Sequence, residues 1–145
     1  MVEDVTAELG ADRSLLLVDD DEPFVKRLAK AMEKRGFIPV TAESVAAGKA
    51  LAVSQPPAYA VVDLRLEDGN GLEVVEVLRD RRPDCRVVVL TGYGAIATAV
   101  AAVKIGAVDY LSKPADANEI TNALLARQGE ALPPPPENPM SADRL

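Results

Sequence analysis

The sequence predicts a doubly wound α/β fold, with five parallel strands alternating with five helices. Two observations carry the expectation. Short apolar runs recur between segments whose apolar residues follow helical spacing. The first of them, Leu15-Leu16-Leu17-Val18, is continuous rather than alternating, the pattern of a strand covered on both faces.

Residues 1–13 are polar and irregular and read as a flexible arm. The run at 15–18 stops at Asp19-Asp20-Asp21-Glu22, and Pro23 suits the first turn of a helix whose positive end those acids favour. Phe24, Leu28, Ala31 and Met32 continue that helix until Gly36 ends it. Phe37 to Thr41 is the second strand, placed at an edge by Pro39. Ser44 caps a helix carrying Val45, Leu51 and Val53, which Pro56-Pro57 stops.

The third strand runs from Ala58 to Val62 and ends at Asp63; a turn at Asp68-Gly69-Asn70-Gly71 leads to a helix with Leu72, Val75 and Leu78 on one face. Arg86 to Leu90 is the fourth strand, ending at Thr91-Gly92. Residues 95–105 form a weak, alanine-rich helix between Gly94 and Gly106. Val108 to Leu111 is a short fifth strand ending at Ser112-Lys113-Pro114. Asp116 and Glu119 make a capping box for a last helix reaching about Arg127. Pro133 to Pro136 then form an extended spacer, and so few residues follow that a truncation before a second domain is expected.

The chain has 145 residues, 48% of them hydrophobic and 27% charged, which suits one domain with a real core. No apolar run approaches the roughly 18 residues that cross a bilayer, and the N-terminus lacks a basic signal start. The single cysteine, Cys85, excludes an internal disulfide and fits a cytoplasmic protein with an inert, partly buried thiol. A net charge of −7 argues against nucleic-acid binding by this segment. The absence of histidine excludes a phosphohistidine carrier, so the chemistry falls to carboxylates, hydroxyls and lysine.

In a parallel sheet, ligands bind where the C-terminal strand ends open on one edge. Asp19 and Asp20 follow the first strand, Asp63 the third, Thr91 the fourth and Lys113 the fifth. Three carboxylates in one pocket repel, and Mg²⁺, a hard cation with oxygen ligands, answers that repulsion. Asp63 could then stay ionised and attack phosphorus, with Lys113 and Thr91 of the types that stabilise the transferred group. Taken singly, Asp19 and Asp20 could cap a helix, Asp63 could start a turn, Thr91 could simply suit a strand end, and Lys113 could be a surface cation. Their joint placement at four strand ends favours the chemistry.

The segments Leu15-Leu16-Leu17-Val18-Asp19-Asp20, Val61-Val62-Asp63-Leu64, Leu90-Thr91-Gly92-Tyr93 and Tyr110-Leu111-Ser112-Lys113-Pro114 resemble the receiver domain of two-component response regulators over residues 14–128. That resemblance implies a flavodoxin-like sheet of order 2-1-3-4-5 and a sensor histidine kinase as phosphoryl donor. It makes Asp63 the phosphoacceptor, and Asp19, Asp20, Asp63 and the Arg65 backbone carbonyl the Mg²⁺ ligands. It also makes Thr91 the switch hydroxyl, Lys113 the phosphate-binding lysine and Tyr110 the aromatic switch, although a half-buried strand tyrosine is the plainer reading of Tyr110. No enzyme is implied beyond self-phosphorylation from small donors and autodephosphorylation. Residues 90–100 and 132–141, the latter within a proline-rich 129–145 linker, further resemble the RegA/PrrA/ActR redox regulators, which reach DNA through a helix-turn-helix domain after such a linker.

The small residues Ala95, Ala97, Ala99, Ala101 and Ala102 point to a phosphorylation-dependent homodimer on the face of the fourth helix, fifth strand and fifth helix. Two rivals are an aspartate-nucleophile phosphatase and a pseudo-receiver serving only as an interaction module. The first wants a second acid two residues after the nucleophile, where this chain has Arg65; the complete acid, threonine and lysine set disfavours the second.

Overall fold

A computed structural model describes residues 11–92 and 96–126. The expected N-terminal arm through residue 10, the helix start at Gly94 and Ala95, the helix end at Arg127 and the 129–145 linker lie outside the described residues. Five parallel strands form the sheet: β1 (Ser14–Val18), β2 (Ile38–Ala42), β3 (Tyr59–Asp63), β4 (Arg86–Thr91) and β5 (Asp109–Ser112). Their order across the sheet is β2-β1-β3-β4-β5, as expected. The helices are α1 (Glu22–Lys34), α2 (Val45–Ser54), α3 (Leu72–Arg81), α4 (Ile96–Lys104) and α5 (Ala117–Leu125).

The continuous apolar runs divide by parity, because successive strand side chains point to opposite faces. Leu15, Leu17, Tyr59, Val61, Val88 and Leu90 pack on one side against Leu28, Met32, Ile120 and Leu124 of α1 and α5. Leu16, Val18, Ala60, Val62, Val87 and Val89 face α2, α3 and α4 on the other. Each fully buried leucine or valine contributes about 1.5–3 kcal/mol. Shifting one strand by a single residue would exchange the two faces, so the packing holds the register that aligns the strand ends.

Local chemistry sets the helix limits. Asp21 caps α1 by accepting from Phe24 N, and Gly36 leaves the helix at φ +105°, a conformation that favours glycine. Ser44 caps α2 through Ala47 N. The Asp116–Glu119 capping box of α5 is complete in both directions. α5 ends at Leu125, short of the expected limit.

The structure orients α2 and changes two local expectations. Val45, Gly48 and Ala52 form the inner side of α2, and Val53 is 45% exposed. The helix is too uniformly apolar for sequence spacing to orient it. The segment after Asp63 is a short antiparallel ribbon, Arg65–Leu66 against Gly69–Asn70, rather than a simple turn. Asp12 and Arg13 are tied down: Asp12 accepts from Ser14 and Arg82, and Arg13 donates to Gly36 O. These contacts pull the Asp12 carboxyl down to about 2, with the Ser14 hydroxyl as the largest cause. Cys85 is buried, and desolvation pushes its thiol up to about 12, which suits an inert packing role.

Candidate functional site

The ends of β1, β3 and β5 bring Asp19, Asp63 and Lys113 into contact. Asp19 is 2% exposed; its Oδ1 accepts from Asp21 N at 2.9 Å, and its Oδ2 lies 2.8 Å from Lys113 Nζ. Asp63 is 4% exposed, with Oδ1 accepting from Arg65 N at 3.1 Å and Oδ2 from Lys113 Nζ at 3.1 Å. Asp20 is half-buried and its Oδ2 accepts from Glu67 N at 3.0 Å. One oxygen from each of Asp19, Asp20 and Asp63 lies within 4.8 Å of the others.

Burial is the main cause that raises the Asp63 pKa, and the charge of Asp19 adds to it; the Arg65 amide and Lys113 pull the other way. Burial also works against the Lys113 charge, but its contacts with Asp19 and Asp63 overcome this, and its pKa is raised. One ammonium among three carboxylates leaves a formal surplus of two negative charges, which the two positive charges of a divalent cation would balance. Like charges at this separation repel by about 4 kcal/mol per pair at an effective dielectric near 20. Among the described residues, Asp19 Oδ2 has no hydrogen-bond donor besides that contact with Lys113. A buried carboxylate oxygen met only by an ammonium, in an all-oxygen set, fits a hard cation such as Mg²⁺.

Thr91 closes β4. Its side chain is buried and its hydroxyl donates to Gly92 O at 3.2 Å. Its carbonyl accepts from Lys113 N at 2.9 Å, so the strand end carrying the threonine also fixes the backbone of the lysine. Tyr110 is half-buried on β5 and packs against the core on the α2–α4 side of the sheet. Ala99 and Ala102, expected on the outer face of α4, are fully buried, and that face presents Ile96, Val100 and Val103. Ala97 is exposed as expected, but Ala99 and Ala102 turn inward because small residues fit against the sheet and leave the larger ones outside.

From the sequence, Phe24 reads as a helix-face residue and Gly71 and Asp68 as turn residues. The Phe24 ring lies 5.1 Å from Lys113 Nζ, an edge of apolar surface beneath the cation. Gly71 sits where a side chain would strike the Asp63 carbonyl, and its N–H donates to Leu64 O at 3.0 Å. Asp68 accepts from the amides of Val45 and Ala46 at the start of α2. The DGNG run marked this loop as unusual, but pairings with α2 and Asp63 are long-range and leave no local signal.

Residues 15–125 match the response regulator receiver domain family, and the chain belongs to it. Within that family it is of the RegA/ActR type. It is 83% identical over 145 residues to the photosynthetic apparatus regulatory protein RegA of Cereibacter sphaeroides, covering all of this chain and 78% of that protein. It is 63% identical over 137 residues to the acid tolerance regulatory protein ActR of Rhizobium meliloti, covering 94% of this chain and 70% of that one. Among solved structures it is similar to a response regulator from Burkholderia pseudomallei that holds a phosphorylated aspartic acid, a calcium ion and citrate. The TM-score there is 0.73 at 42% identity, over 78% of this chain and 66% of the other. None of the described helices is long and apolar enough to cross a membrane.

Proposed function

We propose that this chain is a phosphorylation switch in which Asp63 accepts a phosphoryl group from the phosphohistidine of a sensor kinase. The observation that carries the reading is the meeting of Asp19, Asp20 and Asp63 within 4.8 Å, with Lys113 bridging Asp19 and Asp63. The phosphorylated aspartate and bound calcium of the Burkholderia relative support it.

In the transfer, a carboxylate oxygen of Asp63 attacks phosphorus, the bond from phosphorus to the kinase imidazole breaks, and the imidazole nitrogen keeps the electron pair. Lys113 leaves its contact with Asp63 Oδ2 to meet the incoming phosphoryl oxygens, while Asp19 continues to hold its other side. The Thr91 hydroxyl rotates from Gly92 O toward the new negative charge, and Tyr110 follows into the space this opens. Mg²⁺, held by Asp19, Asp20, Asp63 and the Arg65 carbonyl, would offset the charge that develops on the phosphoryl oxygens.

Output runs through the face of α4, β5 and α5. RegA is named as a regulator of the photosynthetic apparatus and ActR of acid tolerance; redox-responsive transcriptional control is the matching output here. The proposal includes a cytoplasmic location, the 14–128 receiver, and a 129–145 linker leading to a helix-turn-helix domain outside these residues. Ile96, Val100 and Val103, exposed by 51%, 40% and 40%, line a strip suited to a second copy. Light scattering is expected to show dimers with a phosphate analogue and monomers without it. Val100→Asp should hold the analogue-bound protein monomeric; a variant that still dimerises fully would move the interface elsewhere.

The direct test is incubation with acetyl phosphate and Mg²⁺, followed by location of the added mass. One phosphoryl group on Asp63, absent from Asp63→Asn, is expected. No adduct at Asp63 refutes the switch, and rapid turnover of unrelated phosphomonoesters would favour the phosphatase instead.

A further inference from the structure

The loop from Leu64 to Gly71 is anchored at its base by two backbone bonds, Leu64 N to Leu90 O and Gly71 N to Leu64 O, both at 3.0 Å. Its two arms pair as the ribbon of Arg65–Leu66 against Gly69–Asn70, with Leu66 buried in the core, and its tip, Glu67 and Asp68, is exposed. Two consecutive residues there reach in different directions. Glu67 N donates to Asp20 Oδ2 at 3.0 Å, and the Asp68 carboxylate accepts from Val45 N at 2.8 Å and Ala46 N at 3.1 Å.

α2 already has its own cap, because Ser44 accepts from Ala47 N at 3.0 Å. A second cap arriving from a distant loop binds two further amides, so what it adds is a fixed position for the loop. The Glu67 amide occupies one oxygen of an acid that belongs to the cluster. Groups that bond to a ligating carboxylate orient it and tune its affinity.

We propose that Asp68 is a positioning residue: by clamping the loop tip to the start of α2, it holds the Glu67 amide against Asp20 and so orients Asp20 for a divalent cation. This rests on the reading of Asp19, Asp20 and Asp63 as a cation site. The clamp also joins the loop after Asp63 to α2, an element outside the α4–β5–α5 face.

Two measurements on the full chain test it: amide hydrogen exchange without metal, and Mg²⁺ titration by calorimetry. Asp68→Ala should speed exchange at Glu67 and weaken Mg²⁺ binding by roughly tenfold, the low end of the effect of losing such an outer partner. Asp68→Asn, which keeps one acceptor oxygen, should recover part of both. Ser44→Ala removes the other α2 cap and should lower the melting temperature while leaving both readouts at wild-type values. Equal losses in Ser44→Ala and Asp68→Ala would reduce Asp68 to a helix cap and overturn the proposal. Normal Glu67 exchange and Mg²⁺ binding in Asp68→Ala would overturn it as well. A wild-type protein that binds no Mg²⁺ would overturn the cation-site reading itself, whereas binding that Asp68→Ala leaves intact would overturn only the anchoring role.

Discussion

Lys113→Met is expected to destabilise the metal-free protein by about 3 kcal/mol at neutral pH, the lower end of the cost of stripping one partner from a buried ion pair. Lys113 Nζ lies between Asp19 Oδ2 at 2.8 Å and Asp63 Oδ2 at 3.1 Å, and both acids are almost fully buried. Without the ammonium, two close carboxylates face each other with only backbone amides left to compensate. Methionine preserves most of the stem against Phe24, so the loss reports charge rather than packing.

The pH dependence has a definite sign. Burial first, and Asp19 second, already raise the Asp63 pKa above its ordinary 3.8. A carboxyl with a raised folded pKa adds stability below its unfolded value and withdraws it as pH climbs through the folded one. Removing Lys113 enlarges that rise. The gap between variant and wild type should therefore widen from about pH 4 to neutrality and narrow on acidification. Urea denaturation across that range, in chelator, measures it. Saturating Mg²⁺ should restore most of the loss by binding the folded state alone. A gap that Mg²⁺ leaves unchanged would argue that the cluster does not hold the cation.

Gly71→Ala is the second large effect. A Cβ there would meet the Asp63 carbonyl well inside contact distance and come within 2.9 Å of Val62 Cγ1. The obstruction is the backbone of the strand end itself, which cannot swing aside as a long side chain could. A destabilisation of about 3 kcal/mol is expected, the upper range for overpacking. Displacement of Asp63 should also slow labelling by acetyl phosphate, on the order of 10²-fold for a shift near 1 Å. A variant with the wild-type urea midpoint and labelling rate would show that the loop moves freely.

The alternation of runs and helices was legible because each is a local pattern. Asp19, Asp20, Asp63, Thr91 and Lys113 were legible because parallel strands open their ends on one edge. The facing of Ala99 was misjudged for a related reason: α4, like α2, is so rich in small apolar residues that several faces fit the spacing, and volume against the sheet decides among them. The roles of Asp68 and Gly71 depend on partners distant in the chain, Val45 and Ala46 for one and the Asp63 carbonyl for the other.

The sequence by itself determined the sheet, the edge and the residue types that meet there, since strand periodicity, helix caps and abrupt run ends are local. Only the tertiary structure decided that Lys113 bridges Asp19 and Asp63, that α4 turns Ile96, Val100 and Val103 outward, and that Asp68 ties the loop to α2. Those are distances between elements, and they follow from how complementary shapes pack across the sheet.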